Sequence, residues 1–260
     1  MFQSHKLDQE WSDQLPRYWN DHSPFKTHFL NSLSIVLPKF EEFFIRTLRP
    51  LKKNITDPQQ LTEYNEFIKQ ESYHSYAHNK YNNWLQSQGL PVDQLQESND
   101  RILDFLLKNT SNKTCLAITI CVEHITVSYA AVFLKHRLVL KKMHPHFGDI
   151  WRWHAIEEIE HKSVAMDIWN QTYSDFIFQR LIMLVVFIYY IWIVGKNTLI
   201  FLQHDNQLWK WRTLTDMVSL FFDKQSGLIL KSFVPWLDFM RTDFHPNDHD
   251  HTILLNYKKH

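Results

Sequence analysis

Two segments of this chain set metal-binding side chains on one face of a helix, and they restrict its fold more than any other feature. In residues 151–163, WRWHAIEEIEHKS, His154, Glu158 and His161 stand at i, i+4 and i+7. At about 100° per residue they fall within a sector of about 60°. In FIKQESYHSYAHNKYNNWL, Glu71, His74 and His78 stand at i, i+3 and i+7 and span about the same sector. Imidazole nitrogens and carboxylate oxygens converging on one point are ligands for first-row transition metals. One such helix alone reads most simply as a solvated face, but two Glu-x-x-His segments in amphipathic helices point to a shared buried site. Glu160 projects to the opposite side and is expected to be solvated, while Glu157 lies at the edge of the sector as a substitute for Glu158.

Composition narrows the alternatives. The 260 residues carry 28 basic and 28 acidic side chains, so there is no basic excess to hold nucleic acid. Four glycines, Gly89, Gly148, Gly195 and Gly227, are too dispersed for a P-loop, a dinucleotide fingerprint or a nucleophile elbow. With so few glycines and long apolar-periodic stretches, the chain is expected to be all-α. Its length suits one large domain, or a domain with an appendage. Cys115 and Cys121 fall nearly two turns apart on one expected helix, too far for a disulfide, and should stay reduced. The opening MFQSHKLDQEW has no basic stretch followed by an apolar core, which makes the cytoplasm the expected location.

Taken in order, residues 1–24 form a polar lead-in with scattered aromatics. A first helix is expected over residues 25–48, kinked or divided at Pro38. In FEEFFIRTL, Glu41 shares a face with Leu37, Phe44, Ile45 and Leu48, whereas Glu42 can pair with Arg46 at i+4. A lone buried carboxylate costs several kcal/mol unless paired or metal-bound, so Glu41 calls for a cation. Asp57-Pro58 opens a second helix that closes at Gly89. A short helix is expected at residues 99–108 and a long third one at residues 113–143. Glu123 lies in the apolar stripe of that third helix; His124, one position round, can hydrogen-bond behind it, although a lone histidine on an apolar face is more often a satisfied core residue. His144-Pro145 then makes a turn, and Asp149 is expected to cap the helix that carries His154.

The order is therefore Glu41, Glu71 with His74, Glu123, Glu158 with His161, the ligand set of di-iron and di-manganese carboxylate bundles. Four carboxylates balance two divalent cations, which removes the desolvation problem each would pose alone. The expected fold is a ferritin-like four-helix bundle holding two metal ions, with iron expected and manganese or zinc as alternatives. The segments NSLSIVLPKFEEFF, QESYHSYAHNKYN, CLAITICVEHIT, WRWHAIEEIEHKSVAMDIW and FHPND resemble those of a bacterial, ferritin-like family labelled predicted metal-dependent hydrolases. Phe40 stands where other members carry a glycine before the first glutamate. The His-x-x-x-Glu-x-x-His of residues 154–161 also resembles the di-iron arylamine N-oxygenases, a likeness that implies His154 as a seventh ligand. His78 holds the mirror position, as an eighth ligand or as a base hydrogen-bonded behind the ligands.

The chain is expected to divide into a bundle with its lead-in, residues 1–174, and a C-terminal helical extension, residues 175–260. The extension contains an apolar helix at about residues 176–202. Its uninterrupted apolar part, residues 181–194, is about 14 residues long, short of the ~20 a span needs. It is therefore expected to be buried in the protein or a homodimer, then to touch a membrane surface, with a membrane span as the remaining alternative. His245, His249 and His251 are expected to be flexible surface residues. The preferred activity at this stage is O2-dependent oxidation of a small lipophilic molecule, which would require an electron donor. Hydrolysis by metal-activated water and non-enzymatic metal binding are the alternatives.

Overall fold

A computed structural model describes residues 4–136 and 140–255. Among them the secondary structure is helical, with one isolated bridge between Asn20 and Met143. Helix α1 spans Pro24–Leu48, α2 Pro58–Ser87, α3 Val92–Asn109, α4 Asn112–Lys135, α5 Pro145–His161, α6 Val164–Thr172 and α7 Phe176–His204. The shorter α8 (Trp211–Phe222), α9 (Leu228–Asp238) and α10 (Thr252–Leu255) follow. Helices α1, α2, α4 and α5 form the four-helix bundle, with α1 on α2, α4 on α5 and α1 on α4; α3 packs on α1 and α2.

Local chemistry accounts for the helix ends. The Ser23 side chain accepts from the Lys26 amide to start α1, and Asp57 accepts from the amides of Gln59 and Gln60 to start α2. Gly89, at φ 82°, turns the chain out of α2. Several boundaries differ from expectation. The α1 helix is not divided at Pro38, although proline has no N–H to offer the Ser34 carbonyl one turn earlier. That carbonyl instead accepts from Asn82 Nδ2 of α2 at 2.9 Å, so a neighbouring helix supplies the missing donor. Helix α3 starts at Val92 and is longer than its apolar stretch suggested. Helix α4 ends at Lys135, and part of its expected C-terminal stretch, residues 137–139, lies outside the described residues. Asp149 does not cap α5: the helix already starts at Pro145, and Asp149 pairs with Arg152 inside it.

The lead-in is tied down at several points. Arg17 Nε, Tyr18 Oη and His28 Nε2 all meet the Asp205 carboxylate just past α7, at 2.8, 3.0 and 3.0 Å. The apolar helix α7 lies against both α1 and α4. Met183, Val186, Tyr190, Ile193 and Phe201 face inward, while Leu181, Leu184, Val185, Ile188, Ile191 and Trp192 are exposed. Exposed apolar residues continue on α8 (Trp211, Leu214, Val218, Phe222) and α9 (Ile229, Leu230, Phe233, Val234). Among the described residues two helices, α4 and α7, are long and apolar enough to cross a membrane. Burial separates them, since 89% of the apolar window of α4 lies inside the protein against 33% for α7. Both cysteines are free and buried.

Candidate metal centre

Four helices deliver the candidate side chains to one place in the bundle core. Glu41 comes from α1, Glu71, His74 and His78 from α2, Glu123 from α4, and His154, Glu158 and His161 from α5; all eight are buried. One ligand atom from each of Glu71, His74, Glu158 and His161 lies within 4.8 Å of the others. Glu41, His74 and His154 make a second such group. Phe40, just before Glu41, packs near Phe44 and Tyr190, and Glu41 lies buried among the other carboxylates.

The distances outline two halves joined by the Glu-x-x-His carboxylates. His161 Nε2 is 3.0 Å from Glu71 Oε1 and its Nδ1 is 3.3 Å from Glu123 Oε2. His74 Nδ1 lies 3.9 Å from both Glu71 Oε1 and Glu158 Oε1. His154 Nε2 is 2.9 Å from Glu158 Oε1, and the Thr126 hydroxyl donates to Glu158 Oε2 at 2.8 Å. His78 is set back from this group: Nδ1 meets Ser34 Oγ at 3.0 Å and Nε2 meets His154 Nδ1 at 3.1 Å.

Within the protein alone this arrangement is not satisfied. Both oxygens of Glu41, Glu71 and Glu123, both nitrogens of His161 and Nδ1 of His74 are buried without a well-formed hydrogen bond. Buried polar groups are normally paired, and an uncompensated buried ion costs several kcal/mol. The titration behaviour reflects this conflict. Burial, and then the Glu71, Glu158 and Glu123 carboxylates, push the Glu41 carboxyl well above its ordinary range. Burial likewise raises Glu71, and Glu123 is pushed up to about 7. Burial works against a charged Glu158, but the hydrogen bond and charge of His154 outweigh it and hold that carboxyl below its ordinary value. Burial and the neighbouring His154 keep His74 and His78 well below the usual imidazole value. Burial also opposes charge on His161, yet Glu123 and Glu71 raise it. Oxygen and imidazole donors crowded together without well-formed hydrogen bonds are the donor set that divalent transition-metal ions take, so the residues fit such ions.

Glu157, at the edge of the sector by sequence, has a distinct position. It is buried, its Oε2 is 3.1 Å from His74 Nε2 and its Oε1 is 3.3 Å from His5 Nδ1 in the lead-in. A carboxylate accepting the Nε2 proton leaves the Nδ1 lone pair of His74 directed into the centre and fixes the ring. Trp153 packs edge-on against the same ring, centroids 4.9 Å apart. Sequence reasoning also passed over Thr126, although it lies at i+3 from Glu123 on the inward face of α4.

Other expectations are corrected. His124 is a satisfied core histidine and does not stand behind Glu123: it turns toward α9, where its Nε2 donates to the Pro235 carbonyl at 2.8 Å, and burial depresses it to about 4. Glu160 does face the other side, but it is half-buried and accepts from Gln70 Nε2 at 3.1 Å. Glu42 pairs with Arg46 as expected and also with Lys39. The tail histidines are packed rather than loose, with His245 on Asp167 at 3.0 Å and His249 on Asp238 at 3.3 Å.

A narrow apolar cleft of about 30 Å³ reaches the centre between α1, α4, α5 and α7. Leu33, Leu37, Tyr129, Phe133 and Tyr190 line it, and His154 and Glu158 stand on its wall. Residues 3–250 of the chain match the family described as predicted metal-dependent hydrolase. Searches of curated proteins and of solved structures find no significant match.

Proposed function

The chain belongs to the family of predicted metal-dependent hydrolases, and from that premise we propose that it is a hydrolase acting at two divalent metal ions held in the bundle core. The observation that carries this reading is the set of buried, unpartnered carboxylate and imidazole atoms converging from α1, α2, α4 and α5. Glu41, Glu71, His74, Glu123, His154, Glu158 and His161 would hold the two ions. A bound pair of divalent ions supplies Lewis acidity and a water acidified enough to act as a nucleophile near neutral pH.

The protein's own side chains supply the rest. Glu157 holds the His74 ring by its Nε2 proton, and Thr126 holds Glu158 by one oxygen, leaving the other toward the centre. Trp151 and Trp153, both buried, keep bulk water from the α5 face. Apart from His154 and Glu158 the cleft carries, among the described residues, no carboxylate, imidazole or cationic side chain, its other polar groups being the Thr126, Tyr129 and Tyr190 hydroxyls and the Trp151 indole N–H. It therefore suits an uncharged substrate with an apolar body, whose polar, cleavable group reaches the metal end.

A second reading, O2-dependent oxidation at a di-iron centre, draws support from His154, which adds a nitrogen to the carboxylate-rich group. Loading the metal-free protein separately with zinc, manganese and iron separates the two. Each form is assayed against apolar ester and amide substrates, and the reduced iron form for O2 uptake. Turnover by the zinc or manganese protein is expected. O2 consumption by the iron protein, with no hydrolysis under any metal, would refute the hydrolase reading and favour oxidation.

A further inference from the structure

Pro38 leaves the Ser34 carbonyl without its helical donor, and the consequence extends to the metal centre. Asn82 Nδ2 donates to that carbonyl at 2.9 Å. A backbone carbonyl only accepts, so the orientation of the Asn82 amide is fixed. Its Oδ1 must then accept, and it does so from the Ser34 hydroxyl at 2.7 Å. The single proton of that hydroxyl is thereby committed. The Ser34 oxygen, 3.0 Å from His78 Nδ1, has only a lone pair to offer the ring, so His78 carries its proton on Nδ1. His78 is wholly buried, and among the described residues its ring nitrogens meet only the Ser34 hydroxyl and the His154 imidazole, with no carboxylate to balance a charge. A charged ring there would be uncompensated, so His78 is neutral and Nε2 bears a lone pair. That lone pair faces His154 Nδ1 at 3.1 Å, which must donate.

We propose that Asn82, Ser34 and His78 form a positioning chain that fixes the His154 proton on Nδ1 and leaves Nε2 as the nitrogen free to bind metal. Nε2 is the atom 2.9 Å from Glu158 Oε1. It is also the only ring nitrogen that can give up its proton without breaking the chain. In the opposite tautomer Nε2 would carry the proton and the lone pair would point at His78, away from the centre. His78 is thus a positioning residue with both nitrogens committed, and Pro38 has a role beyond shaping α1. Metal-binding histidines are commonly fixed in tautomer by a single carboxylate or carbonyl. Here His74 follows that pattern through Glu157, while His154 depends on a second imidazole held by a hydroxyl and an amide. The metal-binding part of this inference rests on the dinuclear reading above; the tautomer itself does not.

Two measurements on the full-length protein test it. In metal-free protein labelled with 15N-histidine, long-range proton–nitrogen correlation spectra report which nitrogen of each ring is protonated, with His78 and His154 assigned through His78→Gln and His154→Gln. Protonated Nδ1 on both rings and a bare Nε2 on His78 are expected; a proton on His78 Nε2 and none on Nδ1 would overturn the chain. The second measurement is zinc affinity by competition with a chelating dye. Ser34→Ala should weaken binding about tenfold, the low end for residues that support ligands, while Ser34→Thr, which keeps the hydroxyl, should restore most of it. Wild-type affinity in Ser34→Ala, or equal loss in both variants, contradicts the proposed role. A wild-type protein that takes up no metal would instead overturn the dinuclear reading, and the tautomer spectra would still decide the positioning chain.

Discussion

Removing the metal should leave a protein that becomes less stable as pH rises, and Glu123 gives the magnitude. Its carboxyl, ordinarily near 4.5, is pushed up to about 7 in the folded chain, by burial opposed by His161 and reinforced by Glu158. Folding therefore favours the protonated form. Its contribution is fully present below the unfolded value of 4.5 and is lost as pH rises through 7. At 1.36 kcal/mol per pH unit, the whole contribution is about 3 kcal/mol, most of which disappears between about pH 5 and 8. Glu123→Gln places a neutral amide of similar shape at the site and cannot show this loss. The assay is urea denaturation of chelator-treated wild type and variant at a series of pH values between these limits. Taking the difference between the two proteins cancels the opposing contributions of His74 and His78, whose depressed values make them stabilising only as pH rises. Relative to the variant, wild type should lose about 2–3 kcal/mol from the acid to the alkaline end. Divalent metal should reverse the trend, because ions bind the deprotonated ligands. A constant difference across the series in metal-free protein would refute the account of Glu123 as a buried carboxyl lacking its cation.

Metal content gives a second prediction: about two ions per chain after anaerobic loading, with occupancy reduced in Glu71→Ala and Glu158→Ala but kept in Glu42→Ala and Glu160→Ala. Elemental analysis of all four variants decides it, and equal loss in all four would reject the assignment of inward and outward faces. Glu157→Ala should weaken metal binding about tenfold by freeing the His74 ring; calorimetric titration showing unchanged affinity would reject that support. The exposed apolar face of α7, α8 and α9 predicts either partition onto lipid vesicles or self-association, since contiguous patches of this kind mark contact sites. Full recovery without detergent as a monomer that ignores vesicles would reject both.

The sequence by itself determined the helical class, the inward faces of α2, α4 and α5, and which side chain types would meet there. That information is local: a period of 3.6 residues fixes which positions share a face whatever the helix packs against. It also separated Glu41 from Glu42 within a pair of identical side chains, because one turn earlier and later lie apolar residues for the first and Arg46 for the second. Where a helix ends or bends depends on which donors and acceptors other segments bring. Pro38 was expected to interrupt α1, and Asn82, 44 residues further along the chain, supplies the donor that lets it continue. His124 stood one position off the ligand face of α4, whereas His154 shared the face of Glu158 and His161 by its i, i+4, i+7 spacing. The second meets Glu158 on that face, while only packing sends the first to the Pro235 carbonyl. The role of Glu157 was beyond the wheel's resolution for the same reason: a carboxylate at the edge of a face can serve as ligand or as support, and the position of the His74 ring from another helix decides which.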